Sequence, residues 1–460
     1  MTKVSTRSPA HNVAEILSLD IAESLFPPER KLIPDLNDLY ELELAFYENQ
    51  ILTDEEVIKN AAYFKMVRDK FTRHFLICTG QPVKLPDHSS SRLKSFFQTN
   101  LFRTGYATHG LFPYRGKFHP QMIKGLMNVM GLKSGDTVLD PMMGSGTVLV
   151  EALLMGINSI GIDASPFCRF MAQTKVDALT MSLERSRKAL VNYEEVFSYF
   201  QKKVGKPKPD SKNRIRIRQD VLSLREPVKG YFIKDRKGIK SIRDDTAETY
   251  NFLLLAYLDS AGYAERSSRK SPLEQFRAIL ERYVFVADKI QNVVRALEIE
   301  LAAAKTFEGD ARSLPLEDKS VDGIIFSPPY SFAIDYLDND SFHLNFFGVA
   351  IDDLRKKMIG LRGKRLEDKV ELYREDMHQV ISECSRVLRP GCFCTIVVGT
   401  NNNQLSKALK IPPDEVPGIH EMIIELGAKN NLKLIRTLSR PITGISNTMR
   451  KEYILFLRRN

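Results

Sequence analysis

The chain has 460 residues, 43% of them hydrophobic and 27% charged, and its 67 Lys and Arg exceed its 57 Asp and Glu to give a formal charge of +10. These values are ordinary for a soluble globular protein with room for two or three domains, and the basic excess favours a polyanionic partner, because clustered Lys and Arg displace counterions from phosphate backbones. No stretch is long and apolar enough to span a bilayer, the start MTKVSTRSPAHN lacks the apolar centre of a secretory signal, and an odd number of cysteines (Cys78, Cys168, Cys384, Cys392, Cys394) in no paired zinc pattern argues against a disulfide framework and a metal site. A cytoplasmic protein is expected.

From about Val13 to about Leu101 the apolar spacing of ELELAFYENQ and DEEVIKNAAYFKMVRDKFTRHFL predicts a mainly helical region, assigned to residues 1–105 as an accessory domain. Gly110, Pro113 and Gly116 then mark a loop, and Pro120 stands where the amphipathic helix QMIKGLMNVM can begin. From Thr137 the pattern becomes strand, turn, helix, strand: DTVLD, PMMGSGT, VLVEALLMG closed by Gly156, and NSIGID ending in Asp163. This is the βαβ unit of a doubly wound sheet, the first half of an α/β core over 106–180.

Residues 181–300 depart from that alternation and read as an insertion. MSLERSRKALVNYEEVFSYFQKK looks helical, two basic stretches follow over Lys202–Arg218 and Lys229–Arg243, and EQFRAILERYVFVADKIQNVVRALEIELAAA reads as one or two helices. The core resumes over 301–460. VDGIIF is a buried strand leading into Ser327-Pro328-Pro329-Tyr330, YREDMHQVISECSRVLRPG is a helix stopped by Pro390-Gly391, and CFCTIVVG, LKLIRTLSR and EYILFLRR are strands.

Two loops carry the chemistry. After the first core strand, Asp140-Pro141-Met142-Met143-Gly144-Ser145-Gly146-Thr147 places two glycines where a backbone can approach a nucleoside-bearing ligand. There is no G-x-G-x-x-G and no G-x-x-x-x-G-K-[ST], which argues against a dinucleotide or a cradled triphosphate. About twenty residues on, Asp163 stands at the end of the next strand, where an acid accepts hydrogen bonds from ribose hydroxyls. Taken singly, Gly144 and Gly146 are also a plain tight turn and Asp163 a helix N-cap; in register on consecutive strands they point to ligand binding. Asp310, in Glu308-Gly309-Asp310-Ala311, suits an acceptor for an adenine amino group, or a simple turn Asp.

The second loop suits methylation of an exocyclic amine on a base. Such a nitrogen is a poor nucleophile because its lone pair is delocalised into the ring, so transfer needs acceptors for both N–H groups and an electrophilic methyl held in line. The Ser327 hydroxyl can accept one bond and the Pro328 carbonyl the other. Pro328 and Pro329 restrict the backbone, and Tyr330 offers a face for a base swung out of its helix.

These segments resemble the S-adenosylmethionine-dependent amino-methyltransferases of nucleic acids. Asp140–Thr147 is similar to the family's D-P-x-x-G-S-G-T cofactor motif, and Ser327–Tyr330 to its (D/N/S)-P-P-(Y/F/W) motif. Serine in the first place is similar to the cytosine-N4 DNA branch, whereas aspartate is more usual in adenine-N6 and guanine-N2 enzymes. Tyr114–Pro120 resembles the segment that closes over the methionine half of the cofactor. The resemblance, which covers about 106–178 and 307–460, implies a Rossmann-like class I methyltransferase fold. It further implies that S-adenosylmethionine is held by Lys117, Phe118, His119, Asp140, Pro141, Gly144, Ser145, Gly146, Thr147, Asp163, Ala164, Asp310 and Ala311. DNA is the favoured substrate, with a restriction-modification system as one setting; an RNA enzyme of the same chemistry, an adenine-N6 DNA methyltransferase and a non-catalytic binding protein are the alternatives.

The long insertion between Asp163 and Asp310 and the helical N-terminal region depart from the familiar members. For nucleic-acid contact, Arg214, Arg216 and Arg218 alternate and would share one face of a strand, and Arg362, Lys364 and Arg365 form a second basic site after the catalytic loop. The first basic stretches, with Tyr231 and Phe232, are equally a solvated linker. Asp335 and Tyr336 are expected to border the base pocket.

Overall fold

The computed structural model describes residues 25–34, 36, 38–79, 105–114, 116–204, 245–266, 271–329, 336–399, 402–413, 415–442 and 451–460. Strand β1 (Arg30–Leu32), helices α1 (Leu39–Ile51) and α2 (Asp54–Asn60), strands β2 (Phe64–Val67) and β3 (Lys70–Phe71) and helix α3 (Arg73–Thr79) form the N-terminal region. The region is mainly helical, as expected, but three short strands make a small antiparallel sheet, which corrects the reading of DEEVIKNAAYFKMVRDKF as helical throughout. The apparent helical period of DEEVIKNAAYFKMVRDKF breaks at Ala61, and a tight turn with Arg68 at φ +51° folds β3 back on β2. The Thr72 hydroxyl then donates to the Phe64 carbonyl at 2.6 Å and fastens the hairpin.

A 3-10 turn (Ala107–Gly110) leads to α4 (Pro120–Val129), whose first residue is the expected proline. The core follows as β4 (Thr137–Asp140), α5 (Thr147–Leu154), β5 (Asn158–Asp163) and α6 (Pro166–Asp177). The described part of the insertion is helical: α7 (Glu184–Val191), α8 (Tyr193–Val204), α9 (Asp245–Arg266) and α10 (Pro272–Ala296). The core resumes with β6 (Ala304–Glu308), β7 (Val321–Phe326), α11 (Tyr336–Phe346), α12 (Ile351–Arg355), α13 (Leu366–Val387), β8 (Leu388–Gly399), α14 (Asn402–Leu409), α15 (Ile419–Lys429), β9 (Leu432–Pro441) and β10 (Lys451–Arg459).

Two boundaries differ from expectation. β6 begins inside the alanine run assigned to helix, because the chain leaves α10 at Ala296, passes Glu298 at φ +47°, and finds the open edge of β5. Helix α13 ends at Val387, before Pro390-Gly391, and those two residues ride inside β8 at a register shift between the Val321–Leu388 and Gly323–Phe393 pairs. Helices α14 and α15 were not among the expected elements.

The main sheet has seven strands in the order β6-β5-β4-β7-β8-β10-β9. Its first five strands are parallel, and β10 runs antiparallel to both β8 and β9. This is the Rossmann-like class I methyltransferase fold, α/β and doubly wound. Strand order reverses between β4 and β7, so the loops leaving their carboxyl ends open on one crevice, the usual ligand position in such sheets. The apolar core under the sheet is continuous with the N-terminal region: Tyr63, Leu44 and Val57 pack in one cluster with Met122, Leu126 and Val148. The insertion is equally attached. Its Phe252, Phe276 and Tyr283 share a second cluster with Phe167 and Met171 of α6 and Leu337 and Leu344 of α11. Among the described residues no helix is long and apolar enough to cross a membrane, and no group of three or more His, Cys, Asp or Glu is placed to hold a metal ion. Arg214, Arg216, Arg218, Tyr231, Phe232, Tyr330 and Asp335 lie outside the described residues, as does the side chain of Tyr336.

Candidate active site

The turn after β4 is built by backbone bonds that tie it to β5. Met143 N–H donates to the Ile162 carbonyl at 3.0 Å, and Gly146 N–H to the Met143 carbonyl at 2.8 Å. Gly146 is the N-cap of α5 at φ +76°, and a Cβ there would stand 2.8 Å from the Ala172 Cβ of α6. Both the left-handed backbone and the close approach require glycine. Gly146→Ala is therefore expected to destabilise the fold by about 1–3 kcal/mol, read as a lowered urea midpoint; an unchanged midpoint would contradict this reading of the turn. Gly144 differs. At φ +47°, a Cβ on it would meet nothing nearer than the Tyr114 ring at 3.6 Å, so its exposed face looks into open space.

Asp163 holds this turn in place. Its Oδ2 accepts the Gly144 N–H at 2.9 Å, and its Oδ1 accepts the Ser165 N–H at 2.8 Å. The N-cap of α6 is Ser165, whose hydroxyl accepts the Cys168 N–H, so Asp163 does not cap that helix. Burial pushes the Asp163 carboxyl up to about 6, against the two amides that favour its charged form. Protonation of Asp163 thus stabilises the unliganded fold on the acid side, and that contribution is lost as pH rises through about 6. For ribose hydroxyls the sign reverses, because they donate to the ionised form. Cofactor affinity is expected to be flat above about pH 7 and to fall about tenfold per unit below about pH 6. Titration calorimetry across this range checks it; a flat profile would contradict it.

Asp140 is buried at the end of β4. Its Oδ1 accepts the Met142 N–H at 3.1 Å, while its Oδ2 is buried with no hydrogen-bond partner among the described residues. Burial raises its pKa well above the carboxylate range. Asp140 is 1% exposed and is not among the residues that line the cleft.

The crevice beside the glycine turn encloses about 100 Å³ and opens to solvent at its mouth. It is lined from the cofactor side by Lys117, Phe118, Gly144, Ser145, Thr147 and Asp163, and from the other side by Ser327, Pro328 and Pro329. The two loops thus line a single cavity. Register explains it: β7 pairs with β4 through Gly323–Val138 and Ile324–Leu139, so the Asp140 turn and Ser327 leave the sheet side by side. Tyr373 of α13 braces the second loop, donating its hydroxyl to the Pro329 carbonyl at 3.4 Å.

The remaining nominated residues lie around this cavity without lining it. His119 is the N-cap residue of α4, Pro141 and Gly146 are buried within the turn, Ala164 sits between Asp163 and Ser165, and Ala311 is 5% exposed in the core. Lys117 lines the cavity and donates to the His109 carbonyl at 3.2 Å; burial lowers its pKa to about 8, with Arg282 adding to the effect. Asp310 is off the cavity wall. Burial raises its pKa, but the Arg312 guanidinium and amide outweigh this and hold it below the ordinary value. Arg362, nominated for phosphate contact, instead turns its guanidinium to the buried Asp376. Arg365 pairs with Asp368 at 2.7 Å on the surface, and Lys364 is exposed.

Several lining residues carry no motif: Cys168, Leu337, Asp340 and Met358. Tyr114 sits in the segment quoted for the resemblance, and its hydroxyl lies 3.4 Å from the Cys168 Sγ across the cavity wall. Only its place shortly ahead of His119 could have flagged it.

Comparison with known proteins finds similarities to methyltransferases. The family model described as RMKL-like, methyltransferase domain, matches residues 111–199, which include the glycine turn and Asp163. The chain is 24% identical over 439 residues to the type II methyltransferase M.MjaII of Methanocaldococcus jannaschii, covering 75% of this chain and 78% of that one. It is 24% identical over 298 residues to the type II methyltransferase M.BsoBI of Geobacillus stearothermophilus, covering 57% and 56%. A shorter match, 42% over 52 residues, covers 11% of this chain and 16% of a tRNA (guanine(10)-N2)-dimethyltransferase of Methanothermobacter thermautotrophicus. With this sheet topology and these similarities, the chain is an S-adenosylmethionine-dependent methyltransferase, similar to those that modify nucleic acids.

Proposed function

We propose that the protein transfers a methyl group to the exocyclic N4 amine of cytosine in DNA, acting in the cytoplasm as the protective partner of a restriction endonuclease. The observation that carries this is that Ser327, Pro328 and Pro329 line the same cavity as Gly144 and Asp163. The bound cofactor supplies an electrophilic sulfonium methyl. The chain's own residues do the rest. Asp163 orients the ribose, and the glycine turn admits the cofactor's backbone-facing edge. Lys117 and Phe118 close over its methionine end. Asp310 is proposed to accept from the adenine amino group, which would have to displace one of the four bonds from Arg312 that its two oxygens accept in the unliganded protein.

On the target side the Ser327 hydroxyl and the Pro328 carbonyl accept the two amine hydrogens and draw the nitrogen toward tetrahedral geometry, with Tyr330 stacking on the flipped base. Ser327 need not be a strong base, since the amine turns acidic as the methyl arrives and can release its proton to water. Serine in place of aspartate supports cytosine, and the similarity to two type II methyltransferases supports DNA. A second reading, methylation of an RNA base amine, is favoured by the local similarity to the tRNA enzyme. Incubation with methyl-labelled cofactor and separate pools of DNA, tRNA and rRNA distinguishes them. Label in DNA is expected; label confined to RNA selects the second reading, and label in neither refutes both.

Basic residues of the insertion are assigned to the phosphate backbone. Removing 202–243 is expected to weaken DNA binding and to flatten its salt dependence, by roughly 0.9 in the log–log slope for each phosphate left without its cation. Equal binding and equal slope in the deletion would move recognition to the N-terminal region.

A further inference from the structure

The cleft has two sides, and one buried carboxylate reaches the supports of both. Asp376 lies on α13 with no exposed surface. Its Oδ1 accepts Arg312 Nη1 at 2.6 Å and also accepts Arg362 Nη1, while its Oδ2 has no partner among the described residues. Arg312 in turn forks onto Asp310, Nε to Oδ1 at 3.0 Å and Nη2 to Oδ2 at 2.7 Å, and its Nη2 also donates to the Lys357 carbonyl at 2.9 Å. Lys357 precedes Met358, which lines the cleft. One turn back on α13, at the i, i+3 position that shares a helix face, Tyr373 donates to the catalytic-loop carbonyl of Pro329. The turn after β6, the segment 356–365 and the loop after β7 therefore all converge on one face of one helix.

Buried ion clusters are poor sources of stability, since apolar residues of the same volume usually do as well or better. The geometric effect of this cluster is specific, because the planar guanidinium fork of Arg312 fixes direction as well as distance.

We propose that Asp376 and Arg312 are positioning residues that couple the two sides of the cleft, so that occupation of the cofactor side through Asp310 orders the segment 356–365 against the target side. The inference rests on the proposed function for the meaning of the two sides. It assigns Arg362 to this clamp rather than to a phosphate, and it makes cofactor binding tighten a target side whose clamp bonds are already made.

The test is amide hydrogen exchange of the full chain with and without S-adenosylhomocysteine. In the native protein the added ligand is expected to slow exchange across 356–365 by about fivefold or more, the lower end of ordinary coupling between sites. In Asp376→Asn and in Arg362→Gln that slowing is expected to shrink to less than about twofold although the ligand still binds. In Arg362→Gln, kcat is expected to fall about tenfold or more with the cofactor Kd held within about threefold, because Arg312 still supports Asp310. A merely structural role would lower the melting temperature without moving the ligand-dependent difference. If Asp376→Asn does not fold, Arg362→Gln carries the test alone, its side chain being 31% exposed. Native protein with no ligand-dependent slowing, or folded variants with the native slowing, would overturn the clamp. Native protein that shows the slowing but methylates no nucleic acid would instead overturn the proposed function.

Discussion

Ser327→Ala is expected to lower the rate of methyl transfer by about 10²–10³-fold, the usual effect of deleting one group aimed at a developing charge. The cofactor Kd should stay within about twofold. Ser327 follows the carboxyl end of β7, is half-buried, and lines the same cleft as Gly144 and Asp163. Its loop is held independently of its hydroxyl by the Tyr373–Pro329 bond and by buried Pro328, so removing the Oγ leaves the cavity walls in place. Single-turnover transfer measures the first quantity and calorimetry with S-adenosylhomocysteine the second. Native turnover in the variant would remove Ser327 from the mechanism. An equal loss in both quantities would mean that the hydroxyl supports the cofactor rather than the target nitrogen.

Asp163→Ala is expected to weaken cofactor binding by about 1.5–3 kcal/mol, the worth of hydrogen bonds to a charged group, or roughly 10–150-fold in Kd. Two effects add. On the proposed assignment the ribose hydroxyls lose their acceptor, and the Gly144 and Ser165 amides lose the carboxylate that positions the turn. Asp163→Asn isolates the titration, since it keeps one acceptor oxygen, and so one of the two amide bonds, but cannot ionise. In that variant the fall in affinity below about pH 6 should disappear, because the group responsible for it no longer titrates. An unchanged Kd in Asp163→Ala would refute the ribose assignment.

The α/β core was legible because its signals are local. Thr137–Asp140, Asn158–Asp163 and Val321–Phe326 are short apolar runs bounded by turn residues, and each is a strand within a residue of expectation. The meeting of the two loops was legible only through topology: two strands bordering the switch point send their exits into one crevice. What stayed hidden depends on contacts far apart in sequence. The hairpin Phe64–Phe71 has apolar residues at spacings a helix could also use, and only the turn at Arg68 and its packing decide for strand. Arg362 looked like a phosphate ligand because a basic cluster advertises charge but not direction; its partner Asp376 lies 14 residues away on a helix face that composition does not reveal. Met358 and Leu337 reach the cleft from segments with no motif, carried there by the packing of α11 on α6 and on the insertion.

The sharpest experiment lets the native enzyme act on DNA with a deuterated-methyl cofactor, digests the product to nucleosides, and identifies the labelled one by mass spectrometry. Label is expected on the exocyclic nitrogen of deoxycytidine, as N4-methyldeoxycytidine, and is expected to be lost in Ser327→Ala. Label on a ring carbon, or on no nucleoside at all, would contradict transfer to an amine held by Ser327 and the Pro328 carbonyl.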